Sequence, residues 1–232
     1  MTSLLPTLAA VALAALLSAC GGGSGPKSTS VCVPLDHVRI QLFGDSTQAG
    51  YDGGTLTPAS ITPAIALQAA LDAEFGAEVT HVTVRAVPGT NSTQLLAGTD
   101  GRNLPWPRSV DADIVVINHG INDMTSYSDV ARYQRTLRQL AVSSSARVTI
   151  FETPNIVKGW NVGLYADAMR EVAAEVGAPV ADTYDYTASL PNWQTLIADW
   201  AHPNAELYQE IISNVLGPIV ASQVRALQCK SS

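Results

Sequence analysis

Ser46 stands in Gly44-Asp45-Ser46, where an alternating apolar run over residues 38–43 breaks into a polar, glycine-rich loop. A serine hydroxyl so placed can act as a nucleophile once a neighbouring base accepts its proton. Of the four histidines, only His202 has a local carboxylate partner at a loop-to-helix junction, in Asp199-Trp200-Ala201-His202-Pro203. Three apart in a turn, the two side chains can face each other, so that Asp199 orients the imidazole and stabilises the charge it acquires. His37 and His81 sit at expected strand edges and read as surface residues; His119 reads as the polar end of a strand. Gly-Asp-Ser is also good turn chemistry, so the tripeptide alone does not separate a nucleophile from an ordinary strand-to-loop turn.

Two further loops bear on the same chemistry. Pro88-Gly89-Thr90-Asn91-Ser92 follows a strand expected over 79–87, and Gly89 there is either plain turn chemistry or a backbone N–H open to a ligand. His119-Gly120-Ile121-Asn122-Asp123 follows an apolar strand expected over 113–118, and Asn122 offers a donor without a competing charge. The histidines and carboxylates show no metal-ligand spacing such as His-x-x-x-His, and no metal or organic cofactor is expected.

The elements that must position these loops follow from periodicity. Strands are expected over 38–43, 79–87, 113–118, 147–152 and 179–182, with helices over 62–75, 129–143, 163–176 and from about 204 into the 220s. Strands alternating with helices predict an α/β fold with a parallel five-stranded sheet and helices on both faces. In such a sheet a serine at the carboxyl end of the first strand sits where ligands bind.

Taken in order, Gly44-Asp45-Ser46, Gly89, Gly120-Ile121-Asn122-Asp123 and Asp199-Trp200-Ala201-His202 resemble the four blocks of the SGNH (GDSL) hydrolase family, over about residues 37–215. The resemblance implies a three-layer α/β/α, flavodoxin-like fold. It implies Ser46 as nucleophile, His202 as general base and acid, and Asp199 as the residue that orients His202. The oxyanion hole would comprise the Ser46 and Gly89 backbone N–H groups and the Asn122 side-chain amide. Asp45 and Asp123 read as loop-structuring acceptors. Gly-x-Ser-x-Gly is absent, which counts against the α/β-hydrolase route to the same chemistry. The expected activity is hydrolysis of esters through an acyl-enzyme. An acyltransferase with the same triad, or a carbohydrate-binding surface lipoprotein that has lost the chemistry, are the alternatives.

The 232 residues carry a net charge of -7, only 14% of them are charged, and no Lys/Arg cluster occurs, which argues against nucleic acid or an anionic membrane surface as partner. Residues 4–19 are rich in Ala and Leu, too short for a comfortable membrane span, and end in Leu17-Ser18-Ala19-Cys20 before a Gly/Ser linker. The run looks like a secretory signal and its end resembles the bacterial lipoprotein box, implying lipidation of Cys20. Residues 1–6 depart from that pattern in lacking Lys or Arg. The expected organisation is a signal peptide over 1–19, a flexible tether over 20–31 and one hydrolase domain over 32–232. The protein is then exported and lipid-anchored in the bacterial cell envelope, a monomer touching the membrane through its lipid alone. Cys32 and Cys229 remain as an even pair near the domain's two ends; a disulfide is expected, with two unpaired thiols as the alternative. The expected rim loops, 47–57 and 90–103, are polar and contain no amphipathic helix, so short acyl groups on a carbohydrate or other polar alcohol are the expected substrates. Trp106, Trp160, Trp193 and Trp200 lie in or beside loops, where each either stacks on a sugar or packs into the core.

Overall fold

A computed structural model describes residues 34–53, 57–126 and 129–229. The run read as a secretory signal, with Cys20, the stretch read as a tether, and Cys32 lie outside the described residues. β1 (Val38–Gly44) is followed by a short antiparallel pair, β2 (Tyr51–Asp52) and β3 (Thr57–Pro58). Next come α1 (Pro63–Phe75), β4 (Thr80–Val84), α2 (Ser92–Ala97), β5 (Ile114–Asn118), α3 (Ile121–Thr125) and α4 (Val130–Val142). The second half holds β6 (Val148–Glu152), α5 (Gly163–Val176), β7 (Val180–Ala181), α6 (Thr183–Ser189), α7 (Trp193–Leu196), α8 (Ala205–Ile211) and α9 (Gly217–Leu227), with a π-helical stretch, Ile212–Leu216, joining the last two.

The strands form one sheet in the order β4-β1-β5-β6-β7, and every neighbouring pair is parallel. A parallel sheet covered on both faces needs strands that are apolar on both sides. β5 meets that need along Ile114–Ile117, and β1 meets it at its carboxyl end, where Leu42 and Phe43 serve opposite faces, while Arg39 and Gln41 precede Phe43 on its face. Ile40, Leu42, Ile114 and Val116 pack with Leu67 and Leu71 of α1 and Val220 and Val224 of α9. Phe43, Val115, Ile117 and Phe151 pack on the other face with Tyr133, Leu137 and Leu140 of α4 and Met169 and Val172 of α5. The result is the expected three-layer α/β/α fold with β1 between β4 and β5, so that the loops leaving these three strands emerge side by side.

Local capping sets the helix starts. The Thr62 hydroxyl accepts from the Ile65 N–H at 3.3 Å ahead of Pro63, and the Asp129 carboxylate accepts from the Arg132 N–H at 2.6 Å. Departures from the sequence reading have equally local causes. β4 ends at Val84, although Arg85 and Val87 still donate to the Leu42 and Gly44 carbonyls at 2.8 and 2.9 Å. The stretch 90–103, read as loop throughout, contains α2, started by a capping box between Asn91 and Gln94 and anchored by buried Leu95. The single late helix is interrupted by its π-helical stretch. α3, α6 and α7 are too short to show a helical period in sequence. The Leu35 N–H donates to the Leu227 carbonyl at 3.1 Å, tying the start of the described domain to its end.

Candidate active site

Ser46 follows β1 directly and is half-buried. The chain turns at once: Ala49 N–H donates to the Asp45 carbonyl at 3.0 Å and Tyr51 N–H to the Ser46 carbonyl at 2.9 Å. Asp45, 1% exposed, holds this turn from within. Its Oδ1 accepts from both the N–H and the hydroxyl of Thr47 at 2.9 Å, and its Oδ2 accepts from Asn122 Nδ2 at 3.1 Å. Burial raises the Asp45 carboxyl above its usual range, partly offset by those donors and by His202.

The loop between α7 and α8 carries the other two residues. His202 Nε2 lies 2.8 Å from Ser46 Oγ, and His202 Nδ1 lies 2.8 Å from Asp199 Oδ2. A carboxylate can only accept from a neutral imidazole, so Nδ1 carries the proton and Nε2 presents its lone pair to the Ser46 hydroxyl. Asp199 Oδ1 meanwhile accepts from the N–H groups of Ala201 and His202, both at 2.8 Å. Partial burial opposes the charge on Asp199, but these N–H groups and the imidazole outweigh it and hold the carboxyl below its usual range.

Neighbouring segments pin that loop from outside. Lys158 donates its backbone N–H to the Trp200 carbonyl at 2.7 Å and its Nζ to the Ile197 carbonyl at 2.6 Å. Asn155 Nδ2 donates to the Ala201 carbonyl at 2.8 Å, and the Asn204 side chain caps α8 at Leu207 N–H. Sequence reasoning missed Asn155 and Lys158, because neither lies in a block and their partners are main-chain atoms.

Gly89 follows β4, two residues beyond the Val87 N–H that bonds the Gly44 carbonyl. It is exposed, with φ +77°, a conformation that glycine adopts without strain. Asn122 lies in α3, after β5, and gives one amide hydrogen to Asp45, which leaves the other for a ligand. Asp123, fully buried, accepts from the Ser92 N–H at 3.1 Å and the Ser92 hydroxyl at 2.5 Å, so the third loop clasps the second. Burial pushes its carboxyl up to about 6 against those two bonds. His119 is buried beside them. Burial pushes its imidazole down to about 4 despite Asp100 and the Thr90 backbone, so this ring is neutral near pH 7.

The family described as GDSL-like lipase/acylhydrolase matches this chain over residues 42–210. No curated protein matches. Among solved structures, a lipase/acylhydrolase from Enterococcus faecalis is 22% identical with a TM-score of 0.64, over 82% of this chain and 96% of that one. An acetylxylan esterase from Geobacillus stearothermophilus is 19% identical, TM-score 0.62, over 81% and 94%. An α/β hydrolase enzyme from the metagenome of Lake Arreo, Spain, is 22% identical, TM-score 0.61, over 81% and 95%. At such identities the likeness is one of fold.

Gly53 is another residue that sequence reasoning missed. A Cβ built there would lie 2.1 Å from Asp199 Cγ and 2.2 Å from Oδ2, the oxygen that faces His202. The backbone at the tip of β2 is thus the wall against which the carboxylate rests, a contact between distant parts of the chain that no local pattern announces. Gly53→Ala is expected to displace Asp199 and lower kcat by roughly 10- to 100-fold, with KM for a small ester unchanged. In an Asp199→Gly background the same substitution should cost nothing further. Steady-state kinetics of the four proteins check this, and independent, additive losses would rule the contact out.

Proposed function

The chain belongs to the GDSL-like lipase/acylhydrolase family and is a serine ester hydrolase, and we propose that Ser46, His202 and Asp199 are its catalytic triad. The observation that carries the assignment is the unbroken chain of two 2.8 Å contacts from Ser46 Oγ through the imidazole to Asp199. In this reading Ser46 Oγ attacks the ester carbonyl carbon while its proton passes to His202 Nε2. The tetrahedral oxyanion is met by the backbone N–H groups of Ser46 and Gly89 and by the free amide hydrogen of Asn122. Collapse expels the alcohol, which takes the proton back from His202, and leaves an acyl-enzyme. Water, deprotonated by His202, repeats the sequence to release the acid and restore Ser46. Support for the oxyanion site is topological, since its three contributors follow β1, β4 and β5, which are adjacent in the sheet.

Ser46→Ala, His202→Ala and Asp199→Ala are each expected to lower kcat by at least about 10⁴-fold, and the triple variant little more, because triad members act as a unit. Asn122→Ala should lose about 10²- to 10³-fold in kcat. A purified, folded triad variant that keeps a tenth of wild-type turnover would defeat the assignment, as would an Asn122→Ala that loses affinity alone.

For the substrate we propose short acyl esters, acetyl above all, carried on carbohydrate. The four tryptophans divide: Trp106 is buried, with Nε1 donating to the Leu140 carbonyl at 2.9 Å, and Trp193 packs in a small apolar cluster. Trp200, between Asp199 and His202, is 39% exposed, and Trp160, two residues after Lys158, is 54% exposed. Two exposed aromatic rings on the segments that hold the base suit the face of a sugar. An acetylxylan esterase among the similar structures supports the same class. The expected order of kcat/KM is p-nitrophenyl acetate, butyrate, octanoate, palmitate, together with acetate release from acetylated oligosaccharides that falls in Trp200→Ala. Preference for palmitate, with no acetylated sugar attacked, would replace this reading with a lipase.

Export on a lipid attached to Cys20, into the bacterial cell envelope, is part of the same proposal, as is a Cys32–Cys229 disulfide. The Leu35–Leu227 hydrogen bond supports the latter by bringing the flanking backbone together. Intact-mass analysis of the domain exported by a bacterial host is expected to find both cysteines resistant to alkylation until reduced. Alkylation of both before reduction is the contrary result.

A further inference from the structure

A small cavity, walled partly by Pro63, Pro203, Ile211 and Ile212 and partly by polar side chains, lies beneath the loop that carries Ser46. Thr47 and Gln48 line it from that loop, Asn118 and Glu152 from the ends of β5 and β6, Thr183 from α6 and Tyr208 from α8. Its volume of about 10 Å³ is close to the least that a single water molecule needs. Two atoms of its wall are buried without a hydrogen-bond partner, Gln48 Nε2 and Glu152 Oε2, in residues only 2% and 3% exposed. The other Glu152 oxygen accepts from the Thr183 hydroxyl at 3.1 Å. Gln48 faces Glu152 closely enough to favour its ionised form, yet the amide and the carboxyl do not meet hydrogen-bond geometry. Bare polar atoms at such depth are rare in folded proteins, and two of them in residues that line a space for one molecule suit a bridging water.

We propose that Gln48 and Glu152 hold one ordered water in this cavity and that Glu152, acting through it, is a positioning residue for the Ser46 loop. The cavity is well placed for that task. Thr47, in its wall, donates to Asp45, which in turn holds the amide of Asn122. Behind it, Asn118 Nδ2 lies 3.4 Å from the Glu152 carbonyl and 3.3 Å from that of Thr153. A shift of the wall would therefore reach both the nucleophile and an expected oxyanion donor.

Burial pushes the Glu152 carboxyl up to about 7, against the Thr183 and Gln48 contacts, and the Asp45 carboxylate adds to the rise. Tyr208 is the other titratable group that feels it. Below neutrality Glu152 is thus protonated. The sign follows: a carboxyl whose folded pKa is raised binds its proton more tightly in the folded state. Its stabilisation is full below about 4.5 and is lost as pH rises from there to about 7.

A crystal structure near atomic resolution, at a pH below 6, is expected to show one water within about 3.2 Å of both Gln48 Nε2 and Glu152 Oε2. Glu152→Leu should lower kcat roughly 10-fold or more with KM within about twofold, and Glu152→Gln should restore most of it. The thermal midpoint of Glu152→Gln relative to wild type should rise between pH 4.5 and 7. A direct Gln48–Glu152 bond with no water, or wild-type kcat in Glu152→Leu, overturns the proposal. Should Glu152→Leu fail to fold, Gln48→Leu carries the same kinetic test. The inference rests on Ser46 as nucleophile, so Ser46→Ala is measured alongside: activity surviving there defeats that assignment, whereas an unaffected Glu152→Leu defeats this one alone.

Discussion

A serine hydroxyl attacks nothing until its proton has somewhere to go, and in the proposed triad the acceptor, His202, lies 156 residues further along the chain than Ser46. Much of the architecture answers that requirement. β1 is the only strand with β4 on one side and β5 on the other, so the loop bearing Ser46 emerges between its two neighbours. The loop bearing His202 is delivered to the same edge by the capped start of α8, whose Tyr208 hydroxyl donates to the Tyr51 carbonyl at 2.8 Å. This bond fastens α8, which follows the His202 loop, to the turn that follows Ser46, and so helps to hold the two side chains together.

Two buried carboxylates beside the proposed oxyanion site look counterproductive. Their partners explain them. Asp45 is saturated by Thr47 and Asn122, and Asp123 by Ser92, so each acts as an acceptor that aims donors and not as a bare charge. Preorganised donors stabilise an oxyanion because the protein need not reorient them as the charge forms. The cost appears in the raised pKa of both carboxyls, for which burial is the leading cause.

What was legible in sequence was what is local. The alternation of β1, the unbroken apolar run of β5, and the Asp-x-x-His turn each carry their geometry within a few residues, so strands, layers and the candidate triad could be read before any coordinates. α2 escaped because its signal is a capping box around only six helical residues, and polar composition outweighed it. Gly53 against Asp199, Lys158 across the base-bearing loop, and Gln48 opposite Glu152 were not legible. Each joins segments far apart in the chain, and one of each pair is a residue type with many ordinary uses.

In the proposed function, the loop between α7 and α8 would join catalysis to recognition. Its inner side turns Asp199 and His202 toward Ser46, while its outer side leaves the Trp200 ring exposed. Both sides share the same restraints, from Asn155 and Lys158 to the carbonyls of Ile197, Trp200 and Ala201. The restraints act on the backbone from which both the Trp200 ring and the His202 imidazole project. In the proposed function, a substrate group stacked on Trp200 would lie against a ring two residues along the chain from His202, the proposed base. Binding energy gained on the alcohol portion of an ester can thus be spent on orienting its carbonyl, which is how contacts remote from the reacting bond raise kcat and not affinity alone.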